Sequence, residues 1–170
     1  VELWTREFDQ ENKAKRNYKK LPIEEKESYK WLTSAKKSQR CCLTGGAKMV
    51  THIGDRESDI YEEWATIPDK YNHLLVRARQ DRRLFDQKQS LYGYLQQQPI
   101  EGTYTIDVPA DKRIPRVARQ AWLRVRFGQV KIQRPTSLKG FDYPDSVALY
   151  AVEVEEICPP TGQEPIHWRL

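Results

Sequence analysis

The chain has 170 residues, 38% of them apolar, which suits one domain or one and a half built on a modest core. A net charge of +5 and a pI of about 9.1 point to a polyanionic partner, which concerns association rather than fold. Three cysteines without a Cys-x-x-Cys pattern and three scattered histidines argue against zinc. The lack of a long apolar run argues against a membrane span, and an odd cysteine count without a signal peptide fits a reducing, cytoplasmic setting.

Taken in order, Val1 to Phe8 has a strand-like pattern, and residues 9–22 are nearly devoid of aliphatics and read as a mobile connection. The chain starts without methionine and ends on a second strand-like run, His-Trp-Arg-Leu, so the expectation is a piece of a larger protein. Pro22 and the glutamates after it are helix-start signals. They predict a helix to about Lys37 with an apolar stripe of Trp31, Leu32 and Ala35. Cys41 and Cys42 are expected to fill space near its end, with no histidine placed to activate either thiol.

Gly45-Gly46 breaks the chain before Met49, Val50 and Ile53, which read as a buried strand. Gly54 ends that strand and Asp55 stands at its carboxyl end. In open α/β sheets this is where ligands and catalytic groups collect. Beside Glu57 and Asp59, Asp55 is a candidate magnesium ligand, because hard divalent ions take carboxylate oxygens. The same Asp-Arg-Glu-Ser-Asp run also reads as a polar turn with a helix cap, Ser58 or Asp59, and nothing more. The helix that follows places Ile60, Trp64 and Ile67 on one face and stops at Pro68. A further strand, His73 to Arg79, is expected to be buried from Leu74 to Val76 and basic at its exit. Helix, strand, helix, strand suggests a parallel α/β unit.

From Leu91 a short helix is expected, and from Gly102 the reading is β. Thr103 to Val108 alternates, with Tyr104, Ile106 and Val108 on one side. Leu123, Val125 and Phe127 share a face opposite Trp122, Arg124 and Arg126. Gly128-Gln129 reads as a turn into Val130-Lys131-Ile132. Val147 to Val154 is another strand, Pro159 to Gly162 a turn, and Ile166 to Leu170 an extended run. The expected organisation is an α/β portion over 1–83, a β-rich portion over 84–157 and a return to the α/β portion over 158–170.

Two basic features each carry two readings. Between Lys112 and Arg126 there are six Lys or Arg and no Asp or Glu. Arg124 and Arg126 with Trp122 would hold a phosphate backbone and stack on a base, or would be the solvated side of an antiparallel sheet. Arg77 and Arg79 leave a strand in the same layer as Asp55. They would contact phosphate, or pair with Asp81 or Asp86. Trp4, Trp31 and Trp64 read as core anchors, and core packing is the default for Trp168.

Gly-Asp-Arg-Glu-Ser-Asp-Ile over 54–60, behind a strand and followed by Val-Arg-Ala-Arg over 76–79, resembles the second-aspartate region of DDE transposases. The nearest group is the insertion-sequence-four family, which includes the transposon-five transposase. Lys26 to Leu32 resembles the helix preceding that family's catalytic strand, Leu91 to Tyr104 the lead into its β-rich insertion, and Pro159 to Leu170 the exit from it. The resemblance covers almost the whole chain.

It implies an α/β fold, a partial ribonuclease H-like (retroviral-integrase-like) core with a β-rich antiparallel insertion. It also implies cut-and-paste DNA transposition with two Mg2+ or Mn2+ ions, DNA ends as partner, and a homodimer in the complete assembly. By motif match Asp55 is the second metal-binding aspartate, Trp168 stacks on a base flipped from the transposon end, and Arg77, with Arg79, contacts DNA. The family's first aspartate and its glutamate, in a Tyr-Arg-Glu-Lys signature, fall before Val1 and after Leu170, so this chain alone is expected to leave DNA uncut and to bind no metal pair. Two rival readings are a non-enzymatic nucleic-acid-binding β module, with Asp55 a cap, and a ribonuclease H-like metal nuclease.

Overall fold

A computed structural model of the chain describes residues 21–85, 87–113 and 116–170. The expected Val1 to Phe8 strand, most of the 9–22 connection, Trp4 and Asp86 lie outside the described residues. The chain is a mixed helix and strand protein divided into two compact units. One comprises residues 21–79 with Gln133–Val147, and the other Gln80–Ile132 with Ala148–Leu170. Among the described residues no helix is long and apolar enough to cross a membrane.

In the first unit a 3-10 turn, Ile23–Glu25, leads into α1 (Tyr29–Thr44), which buries Leu32 and Ala35. The helix runs a full two turns beyond Lys37. Cys41 and Cys42 are therefore exposed on its last turns instead of filling space at its end. Strands β1 (Val50–Gly54) and β2 (Asn72–Val76) pair in parallel, Val50 opposite Asn72 and Gly54 opposite Val76. Parallel partners need a crossover, and α2 (Tyr61–Thr66) lies in it.

The strands are not buried as the apolar run suggests. Met49 is 61% and Ile53 77% exposed, and Leu75 is exposed as well. Alternation puts Ile53 and its partner Leu75 on one face, while Val50, His52, Leu74 and Val76 point to the other and are half-buried. Only that second face of the pair is covered among the described residues. On α2 the expected stripe is corrected too. Ile67 is buried, but Ile60 and Trp64 are only half so, as is Trp31. Tyr61, Glu62 and Glu63 take the inner positions. The two acids are tolerated there because each has a partner: Lys26 Nζ lies 3.5 Å from Glu62, and Ser58 Oγ donates to Glu63. Tyr61 Oη donates to the Pro144 carbonyl, at 2.8 Å, joining α2 to the 133–147 segment. Arg134 holds that segment closed through the carbonyls of Phe141 and Tyr143 and the Asp145 carboxylate.

The second unit is a four-stranded sheet in the order β3 (Gly102–Val108), β4 (Arg119–Gln133), β5 (Ser146–Ile157) and β6 (His167–Arg169), with α3 (Leu91–Gln97). β3 pairs antiparallel with β4, and β5 with β6. Residues 158–170 thus complete this sheet and do not return to the first unit, whereas 133–147, expected in the β portion, belongs to the first.

No turn occurs at Gly128-Gln129. β4 runs straight through, and the glycine is there because Tyr94 of α3 lies across it. A Cβ at 128 would stand 2.6 Å from the Tyr94 hydroxyl, which donates to the Gln129 carbonyl. Along β4 the buried positions change parity, from Ala121 and Leu123 to Val130 and Ile132. One face of the sheet therefore carries a core of Val108, Ala121, Leu123 and Val154; the other buries Ala151 and Glu153 of β5, and Val130 and Ile132 toward the end of β4, where Leu84 bridges Ile132.

A bidentate ion pair closes the first of these cores. Arg119 donates to both oxygens of Glu156, at 3.0 and 2.8 Å, and the two side chains are 8% and 2% exposed. The Arg119 hydrogen bond holds the Glu156 carboxyl below the usual glutamate range. Stability from this pair is thus present above the unfolded glutamate pKa and is lost as pH falls through the lower folded value. Arg119→Met leaves a buried carboxylate without its counter-ion and should cost about 3 kcal/mol at neutral pH. Urea unfolding followed from neutral to acid pH checks this, with the variant's deficit shrinking in acid.

Candidate metal carboxylate and nucleic-acid surface

The end of β1 is built on a close approach. A Cβ on Gly54 would stand 2.5 Å from both Cβ and Oγ of Ser58, so only glycine lets the chain fold back onto the strand end. The turn Arg56–Ser58 follows, and Asp55 caps it: Glu57 N–H donates to Asp55 Oδ1 at 2.8 Å. Asp55 is exposed, and Oδ2 takes no hydrogen bond among the described residues. The cap reading and the ligand reading of Asp55 thus use different oxygens of one carboxylate.

The neighbouring acids are otherwise engaged. Glu57 is exposed and pairs with Lys30 at 3.0 Å, a surface bridge of small energetic weight. Asp59 is buried and accepts the backbone N–H of Arg79 at 2.6 Å. Ser58, 1% exposed, donates to Glu63 at 2.6 Å. Neither Ser58 nor Asp59 caps α2. Its first flanking residue is Ile60, which has no side-chain cap, and Glu62 and Glu63 in the first turn meet the positive end of the helix instead. Burial pushes the Glu63 carboxyl up, partly offset by the Ser58 hydroxyl.

Arg77 and Arg79 stand at the same end of the parallel pair. Arg77 N–H donates to the Gly54 carbonyl at 3.2 Å, directly behind Asp55. Neither guanidinium forms an ion pair or hydrogen bond among the described residues. The alternative partner Asp81 accepts the backbone N–H of Tyr92, and Asp86 lies outside the description. The first unit therefore brings Asp55, Arg77 and Arg79 together at one strand end.

The sheet of the second unit separates its candidates. Trp168 is opposite Val154 on the apolar face, 40% exposed. Arg124 and Arg126 project from the other face beside Trp122. Their charges are matched there: Arg124 donates to Glu155 at 3.0 and 2.7 Å, and Arg126 Nη1 lies 3.3 Å from both Glu153 and Glu155. Within the acid-free basic run from 112 to 126, Arg119, Arg124 and Arg126 find their acids across the sheet, in β5, while Arg113 and Arg116 pair with Asp111 just before it. The alternation of Glu153 and Glu155 on one strand was the available signal for this. It goes unread when each strand is taken alone.

Among the described residues no three of His, Cys, Asp or Glu gather as a group able to hold a metal ion. Asp55 suits one place in a magnesium shell, which takes one or two protein carboxylates and fills the rest with water and phosphate oxygens. No protein-family model matches the chain.

Two measurements test the turn. Gly54→Ala must push Ser58 away and should destabilise the fold by about 1–3 kcal/mol in urea unfolding. Glu63 titrates above its unfolded value, so the native state holds more protons and stability declines as pH rises through that window. Glu63→Gln keeps an acceptor for Ser58 and removes the charge. It should be more stable than the parent at neutral pH, with the advantage vanishing in acid.

Proposed function

We propose that this chain is the central part of the catalytic domain of a DDE transposase of the insertion-sequence-four type, acting in cut-and-paste DNA strand cleavage and transfer. In this reading β1, α2 and β2 belong to a ribonuclease H-like core and the antiparallel sheet is the β-rich insertion. Asp55 is the second metal-binding aspartate. The observation that carries the reading is the strand end itself: an exposed aspartate with one oxygen unengaged, beside two arginines without partners among the described residues. A carboxylate for a divalent cation next to cations for phosphate is the pairing that phosphoryl transfer on DNA requires.

When bound, two Mg2+ or Mn2+ ions would activate the attacking hydroxyl and stabilise the leaving oxygen. The residues of this chain have their own tasks. Asp55 supplies a ligand oxygen, Arg77 and Arg79 hold the phosphate backbone, and Trp168 offers a half-exposed ring to an unpaired base. The partner is DNA at the ends of a mobile element, engaged by a homodimer of the complete enzyme. Arg124 and Arg126 contribute less than their charge suggests, because Glu153 and Glu155 already neutralise them. A second reading, a nucleic-acid-binding module in which Asp55 is only a cap, is favoured by the bond from Glu57 N–H to Asp55 Oδ1.

The two part on one assay. A polypeptide carried to both ends of its reading frame is tested for magnesium- or manganese-dependent nicking of linear DNA bearing the flanking element ends. Asp55→Asn should lower the rate about a thousandfold or more, as loss of a metal ligand costs several kcal/mol of transition-state stabilisation. Nicking that survives the substitution would demote Asp55 to a turn cap. DNA binding without nicking in either form would support the binding module.

A further inference from the structure

Trp168 is the middle residue of a strand only three residues long. Its backbone is held at both ends by β5: Val152 and Leu170 exchange N–H to carbonyl bonds at 2.9 Å, and Glu156 N–H donates to the Ile166 carbonyl at 2.8 Å. So short an outer strand is weakly fixed by its ladder alone. Its side chains add a second attachment. His167 and Arg169, on either side of Trp168, both reach the same oxygen of Glu153: His167 Nε2 at 2.8 Å and Arg169 Nε at 2.8 Å.

Glu153 is 1% exposed, and Arg126 approaches its other oxygen at 3.3 Å. The Arg169 guanidinium also lies 3.9 Å over the Tyr92 ring of α3. One buried carboxylate thus grips both neighbours of Trp168 on one face of the sheet. The strand alternation then forces the indole onto the opposite face, against Val154.

We propose that Glu153 is a positioning residue for Trp168, fixing β6 so that the indole is presented to an unpaired base. This rests on the reading of Trp168 as a base-stacking residue. Glu153 itself touches no nucleic acid in it. It acts by removing the freedom of β6, so that the ring does not have to be ordered when the base arrives.

The probe is a DNA duplex with one unpaired, overhanging 2-aminopurine, whose fluorescence is quenched by stacking. Binding is measured with the whole chain as parent, Trp168→Ala, Glu153→Gln and the double variant. Trp168→Ala should weaken binding about fivefold or more and abolish most of the quenching. Glu153→Gln should reproduce most of the loss of quenching and add nothing to it in the Trp168→Ala background, because its effect runs through the ring.

Quenching by Glu153→Gln at the parental level, or a full additional loss in the double variant, would overturn the inference while the Trp168 reading stands. Parental quenching by Trp168→Ala, or no quenching by the parent, would overturn that reading and the inference with it. If Glu153→Gln does not fold, Arg169→Gln breaks the same grip from a more exposed side chain. It is judged by the same quenching criteria.

Discussion

The missing side chain of Gly54 is the constraint on which the first unit's candidate site depends. Because the strand end is bare, Ser58 packs against it, and the turn that follows is held tightly enough for Asp55 to cap it. Ser58 then reaches Glu63 in α2, and Asp59 reaches the backbone of Arg79 beyond β2. One close approach ties the end of β1, the start of α2 and the exit of β2 into a single element. The acids in the run are thereby sorted. Two are turned to structural use or paired at the surface, and Asp55 keeps an oxygen available.

The second unit is organised by charge pairing across strands. β4 presents arginines at alternate positions and β5 presents glutamates, so the two faces of the sheet are stitched separately. Arg119 and Glu156 close the apolar side, and Arg124 and Arg126 meet Glu155 and Glu153 on the other. The consequence for function is a division of labour. A basic strand that looks like a phosphate-binding surface is largely neutralised, while the strand ends of the first unit carry guanidinium groups without such partners among the described residues. In the proposed reading, a polyanion would be met there.

Local features were legible wherever a residue's nearest chain neighbours decide its conformation. α3 is found over Leu91–Gln97, where a short helix was expected, and Ser90 caps it. The alternation of Tyr104, Ile106 and Val108 is that of β3. Expectations failed where a distant segment supplied the reason. Gly128 looked like a turn because glycine breaks strands, but its cause is Tyr94, more than thirty residues earlier. Met49 and Ile53 looked buried because they are apolar, yet the face they occupy is uncovered among the described residues. Glu62 and Glu63 occupy inner positions of α2 in place of the expected Ile60 and Trp64, because Lys26 and Ser58 meet them there.

By itself, then, the sequence determined the order and kind of most elements, the turn that places Asp55 at a strand's end, and the motif that resembles the second-aspartate region of DDE transposases. These follow from periodicity, capping chemistry and glycine placement, which act over a few residues. Only the tertiary structure decided which charges remain unmatched, which face carries Trp168, and that residues 158–170 complete the antiparallel sheet. Ion pairing and burial are set by contacts between strands far apart in the chain. No local pattern along β4 contains the glutamates of β5.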